Sequence, residues 1–420
     1  MNLSNKKPPA AGARRGTLLG AIVAGLMAPW AQASTVEISA TFSPDSANPH
    51  INQFTNTTPM SGLCTTFPAL CSSLGLYSIR LGIQAQSQRP ILANHANIRD
   101  GLMVKVPAEA RTLQVTNTSG DTAQLEFSIS AFSGTHRTRD VSLITGIPTG
   151  NGDTANSHLW KGQAWGYYAS APCTRGAAMW ASPIDADYFW LTPQAVPCGK
   201  SPAYEIDSVL LRNPSVSYRM VAPDPLKMES GIYRGSLIYT VGPGMDFDFG
   251  DVMLPNDNQV IMNFTLEVKH TLKFLFPAGG NRVVLNPAGG WQQWLNNGRR
   301  PEKLVANKNF KMWSSSQFSM EMQCEYLLAT QCAIQNAAGH TVLVETRVTL
   351  PSGMLDALNR PVERVLLSTT PAVFSPSHYV DNGQASLHFE VARDQTHSMI
   401  NDHSGSTYRG NITVIWDSEI

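Results

Sequence analysis

Short runs of alternating or β-rich residues recur along this chain, and clusters of Gly, Pro, Asn and Ser separate them. The runs fall at 36–42, 102–106, 112–115, 124–130, 236–241, 260–268, 271–276, 341–350, 385–391 and 411–416. No segment holds an apolar stripe at the 3.6-residue helical period over three turns. In a strand successive side chains point to opposite faces, so a chain patterned this way buries one face of each strand against another sheet. The expectation is an all-β protein of the sandwich type. With 42% hydrophobic and 15% charged residues, the composition supports packed cores rather than a disordered tail.

An internal repeat sets the expected domain count. The segment 230–241, SGIYRGSLIYTV, aligns without gaps on 405–416, GSTYRGNITVIW, and both carry Tyr-Arg-Gly ahead of an alternating strand. In the second copy Tyr408, Gly410, Ile412, Val414 and Trp416 share one face, and Arg409, Asn411 and Thr413 the other. Tandem immunoglobulin-like sandwiches over 34–268 and 269–420 follow, each closed by one copy. The join has little linker composition, because 264–276 reads as strand almost throughout, so a short and stiff connection is expected.

Residues 1–33 read as a signal peptide. Lys6, Lys7, Arg14 and Arg15 precede an apolar stretch from 17 to 31, and Ala31-Gln32-Ala33 is a small-x-small cleavage site. The Arg14-Arg15 pair also fits a twin-arginine signal. Cleavage takes four basic residues and no acidic one, so a chain with 31 of each becomes mildly acidic. Neither form carries the clustered Lys and Arg that a nucleic-acid partner needs. The six cysteines, at 64, 71, 173, 198, 324 and 332, are an even set in an exported chain. Fifteen full pairings exist, and proximity favours Cys64 with Cys71, Cys173 with Cys198 and Cys324 with Cys332. With no CxxC pair and no suitably spaced His, a zinc site is not expected.

Four segments point to a family: the motif GIYRGSLIY at 231–239; the join NFTLEVKHTLKFLFP at 263–277 with RVVLNPAGG at 282–290; the closing YRGNITVI at 408–415; and the two small cysteine loops of the first domain. On these the chain resembles the two-domain tip adhesins of chaperone-usher fimbriae of the colonization-factor (class 5) and cable-pilus type. The resemblance implies an N-terminal receptor-binding adhesin domain and a C-terminal pilin domain. That pilin domain would be an incomplete sandwich, filled first by a periplasmic chaperone and then by a strand donated from the next subunit. An outer-membrane usher, a major pilin subunit and a host glycan or protein receptor are the further implied partners, at the tip of a surface fimbria. Receptor binding in relatives is attributed to arginines, and their places here hold approximately Pro59 and Pro243-Gly244, so those roles do not transfer.

The densest cluster of candidate binding residues comprises Trp160, Trp165, Tyr167, Tyr168, Trp180, Tyr188, Phe189 and Trp190. Aromatic faces stack on the apolar faces of sugars, and His158, Lys161, Arg175, Asp185 and Asp187 flank them with hydrogen-bonding groups. Trp160, Lys161, Trp165, Arg175, Trp180 and Trp190 are therefore receptor-binding candidates, with the expectation that Trp160→Ala or Trp180→Ala ends adhesion and spares folding. The competing reading is core packing, with at least one ring left exposed. Tyr408, Gly410, Ile412, Val414 and Trp416 are the candidates for the donor-strand groove. Asp246, Asp248 and Asp251 alternate with Phe247 and Phe249, which fits a strand with one wet and one dry face better than a calcium loop. No G-x-S-x-G, H-E-x-x-H, phosphate loop or dinucleotide fingerprint occurs. A binding function without cofactor is expected. The rival readings are a free-standing secreted lectin or sugar-active enzyme, and a minor shaft pilin whose strand at 36–42 is donated outward.

Overall fold

A computed structural model describes residues 33–148, 152–279 and 281–418. The signal-peptide reading of 1–33 lies outside the described residues apart from Ala33. The protein is all-β, as its periodicity implies, and every strand expected from the alternation overlaps an observed one. The run at 102–106 shrinks to Met103–Val104, and that at 341–350 divides into Thr341–Leu343 and Glu345–Thr349.

Two separate apolar clusters organise the strands. The first draws on residues from Val36 to Val268. Its strands hydrogen-bond in one continuous path: Met253–Pro255, Ala85–Ser87, Leu210–Val221, Thr122–Arg137, Arg111–Thr116, Gly231–Thr240, Gln259–Val268, Ser34–Phe42 and Thr55–Asn56. Ser34–Phe42 runs parallel to Gln259–Val268 over its full length, from Ser34 opposite Val260 to Phe42 opposite Val268. Val36, Ile38, Ala40 and Phe42 are buried and meet Val260, Met262, Phe264 and Leu266 in the same cluster. The alternation read at 36–42 thus serves the chain's own core.

The second cluster draws on residues from Phe310 to Val391 and lies between two sheets. Leu272–Leu275, Leu304–Ser314, Val380–Val391, Glu345–Thr349 and Val365–Leu366 pair in that order in one sheet. Met354–Asp356, Ala372–Pro376, Phe318–Cys324 and Ile412–Asp417 pair in that order in the other. Between the clusters the chain is held by short polar contacts. Lys269 N donates to the Phe42 carbonyl. His270 Nε2 donates to the Met228 carbonyl at 2.8 Å, which leaves Nδ1 to accept from Ser315 Oγ at 3.1 Å.

Strands at Leu210–Val221, Leu304–Ser314, Phe318–Cys324 and Ala372–Pro376 lie outside the runs that the alternation marks. Leu210–Val221 is interrupted by Asn213 at φ 49° and by Pro214, with a register shift between Arg212 and Ser215 that breaks the period-two pattern. Phe318–Cys324 points Met320 and Met322 inward, and methionine carries little β signal. All three favoured disulfides form: Cys64–Cys71, Cys173–Cys198 and Cys324–Cys332.

Candidate functional site

The aromatic cluster divides into a core and a surface. Asp185–Leu191 is a strand paired with Thr122–Arg137, which sets Trp190 opposite Phe132 and Tyr188 opposite Gly134. Trp165 stacks on Trp190 at 4.5 Å and 10°, and Trp160 and Tyr188 meet Trp165 edge-on at 5.4 and 4.9 Å. Trp190 Nε1 donates to the Trp165 carbonyl at 2.9 Å. Trp160, Trp165 and Trp190 are 2%, 0% and 1% exposed. Their faces are covered by one another, so no sugar can stack on them, and these three leave the receptor-binding set. Trp160→Ala would open a cavity rather than spare folding. Asp185 and Asp187 are likewise engaged: Arg137 and Arg212 pair with Asp185, and the Thr135 hydroxyl donates to Asp187 at 2.5 Å. The Arg137 guanidinium holds the Asp185 carboxyl below its ordinary range, whereas burial pushes Asp187 up.

Trp180, at 63% exposure, remains on the surface with Tyr168, Lys161 and Arg175. All four belong to the segment closed by, or adjoining, the Cys173–Cys198 bridge. Lys200, which no motif signalled, anchors that segment from beneath. Its Nζ donates to the carbonyls of Gly162 and Gln163 at 2.9 and 2.8 Å, and burial draws its pKa down to about 8.

His136 is buried against Trp160 and Trp165, edge-on at 5.3 and 5.6 Å. The Asn156 amide is committed to the carbonyls of Gly152 and Ser182, and neither imidazole nitrogen has a partner among the described residues. Burial pushes the His136 pKa down to about 4, opposed by the nearby Asn156 side chain and by Asp185, with Lys200 adding to the effect. A histidine buried neutral binds its proton more weakly folded than unfolded. Its neutral state therefore supports the fold fully above its unfolded pKa of about 6.5, and that support is lost as pH falls from there towards 4. The loss over this window is on the order of 3 kcal/mol, and chemical denaturation across pH 4–7 should show it; His136→Phe should flatten the slope.

Asp246, Asp248 and Asp251 form no strand. Phe247 and Phe249 are buried as expected, but so is Asp248, because the segment turns. Arg111 pairs with Asp246, and Arg99 spans Asp248 and Asp251 at 2.8 and 2.5 Å. Backbone amides of Gly244 and Gly250 also donate to Asp248.

At the other end of the chain, Ile412–Asp417 pairs with Phe318–Cys324 on one side only. Among the described residues no strand pairs with its other edge. Ile412, Val414 and Trp416 pack inward yet remain only half-buried. Leu272–Leu275, in the opposite sheet, is also an edge. Phe274 on that edge has its ring 4.1 Å from the Trp416 ring, and Phe310 on the adjacent strand Leu304–Ser314 has its ring 5.4 Å from it. Leu275, Phe276, Val284, Trp291 and Leu295 are exposed apolar residues in the stretch that follows. Tyr408 lies before this strand and does not share its inward face; its hydroxyl is hydrogen-bonded with His340 Nδ1 at 2.7 Å. Gly410 is closely backed by the Ala333 carbonyl, at 2.9 Å from the position a Cβ would take.

No family model and no curated protein matches the sequence. Among solved structures, a chain of the chaperone–tip adhesion subunit pre-assembly complex from the archaic chaperone-usher Csu pili of Acinetobacter baumannii aligns at 10% identity. The alignment covers 92% of this chain and 98% of that one. Its TM-score of 0.19 is a level of superposition that carries no structural inference.

Proposed function

We propose that this chain is an adhesive subunit of a chaperone-usher pilus, with residues 34–268 as the receptor-binding domain and 269–420 as a pilin domain completed by a strand from a partner. The observation that carries this reading is the open edge of Ile412–Asp417 beside a half-covered apolar face. An unpaired strand edge next to exposed apolar side chains is a template for β-augmentation. A periplasmic chaperone, and then a pilus subunit delivered at the usher, would occupy it. The seating of Ser34–Phe42 in full register against Gln259–Val268 supports a tip position over a shaft position, since a strand built into its own core is not free to be donated. In the first domain, Trp180, Tyr168, Lys161 and Arg175 offer an exposed surface to a receptor.

The test is periplasmic expression of the chain with and without its candidate chaperone, read by size-exclusion chromatography. A one-to-one complex, with aggregation or degradation when the chaperone is omitted, is the expected result. A stable monomer made alone would replace the pilus reading with a free-standing binding protein. Val414→Glu puts a charge on the inward face of the open edge, and it should weaken chaperone capture by tenfold or more, as expected for a buried unpaired charge.

A further inference from the structure

A cavity of about 380 Å³ opens in the first domain, away from the aromatic cluster, between the segment 52–56, the start of the strand Tyr77–Arg80 and the end of the strand Leu210–Val221. We propose that it is a binding site for a neutral saccharide. The inference rests on the receptor-binding reading of this domain, and it names the ligand class and the place.

Its size falls within the range of about 300–1,000 Å³ usual for small-ligand sites. Its wall combines two chemistries. Phe54, Tyr77 and Val221 supply apolar surface, and the Tyr77 ring is 39% exposed. Asn52, Gln53 and Asp224 supply polar groups. The side-chain amides of Asn52 and Gln53, both in the lining, have no hydrogen-bond partner among the described residues, so both present a free donor and a free acceptor. Sugar hydroxyls donate and accept at once, and amides match them, while the Asp224 carboxylate accepts from adjacent hydroxyls. The ring's C–H face covers the aromatic surface.

The wall is also held in place. Asn56 Nδ2 donates to the Tyr218 hydroxyl at 3.0 Å, and that hydroxyl donates to Thr58 Oγ1 at 3.1 Å, which pins the 52–58 segment to the core strand. Asp224 Oδ1 accepts from Leu226 N at 3.1 Å, which fixes the far wall. Charge sets the ligand class: no Lys or Arg lines the cavity, and its one ionisable lining group besides the Tyr77 phenol is the acidic Asp224. Lys227, outside the lining, pairs with Asp224 Oδ2 at 3.8 Å, so an anionic sugar meets in the lining a carboxylate and no unpaired cation, whereas a neutral one meets hydrogen-bonding groups throughout.

The experiment uses the exported full chain, with its chaperone if expression requires one. An array of neutral and sialylated oligosaccharides is screened first, and the best free oligosaccharide is then titrated by calorimetry. Binding to neutral glycans is expected, falling about tenfold in each of Asn52→Ala and Gln53→Ala, as for one lost hydrogen bond to a ligand. Both positions lack internal partners, so these variants should keep the parent melting temperature. Trp180→Ala should bind as the parent does. Glycan binding lost in Trp180→Ala but kept in the cavity variants would overturn the proposal and leave the adhesin reading standing, as would a preference for sialylated glycans. Attachment of the chain to cells with no neutral glycan bound would do the same. Failure to bind either cells or glycans would remove both the cavity site and the receptor-binding reading.

Discussion

Trp165→Ala should cost the protein about 3–5 kcal/mol, the range for truncating a large buried aromatic. The side chain is wholly buried, stacks on Trp190 and is met edge-on by Trp160 and Tyr188, so its removal leaves a hole lined by three rings that cannot close over it. At about 2–4 °C per kcal/mol, the scale for a cooperative unit of roughly 150–250 residues, that is a fall in melting temperature on the order of 10 °C. Trp180→Ala, on the same segment, should change stability by no more than about 0.5 kcal/mol because its ring is in solvent. Thermal melts of the two variants separate structural from available tryptophans. Equal melts would mean that the stack is not the core it forms here, and would return Trp160, Trp165 and Trp190 to the binding surface.

Replacing Cys173 and Cys198 together by serine should cost about 3.5 kcal/mol, from the chain entropy of a loop closed across 25 residues. Both sulfurs are buried, and the bridge closes most of the segment that displays Tyr168, Arg175 and Trp180. The loss should therefore reach the surface as well as the core. The Cys64–Cys71 bridge spans only 7 residues and should be worth less, about 2.4 kcal/mol on the same scale. Denaturant melts of the two double variants test the order. A reversed order would show that the 173–198 segment is held by its packing and by Lys200 rather than by the bridge.

The proposed roles of the two ends of the molecule differ because their strands have different neighbours. The matched motifs at 230–241 and 405–416 look alike as sequence, yet Gly231–Thr240 lies between two strands and Ile412–Asp417 has one. In the first copy Tyr233 is buried in the core; in the second Tyr408 is half-buried against His340. Nothing within either motif encodes that contrast. It depends on which distant strand arrives alongside.

Local pattern alone determined the all-β class, the inward faces of strands such as Ser34–Phe42 and Gln259–Val268, and the near-neighbour disulfides. A period of two and a short chain between cysteines are local properties that survive any tertiary arrangement. Strands that depart from the period, such as Leu210–Val221 with its bulge at Asn213-Pro214, could not be read this way, because their pairing is set by partners far along the chain. The fate of each aromatic was equally non-local. Trp165 and Trp180 are fifteen positions apart on one segment, and only the strand Asp185–Leu191 packing on Thr122–Arg137 decided that one is enclosed and the other left in water. The cavity at Asn52, Tyr77 and Asp224 joins three segments with no motif between them, and the free edge of Ile412–Asp417 depends on which strands among the described residues pair with it. Burial and vacancy are properties of what surrounds a residue, and that is fixed only when the whole chain has folded.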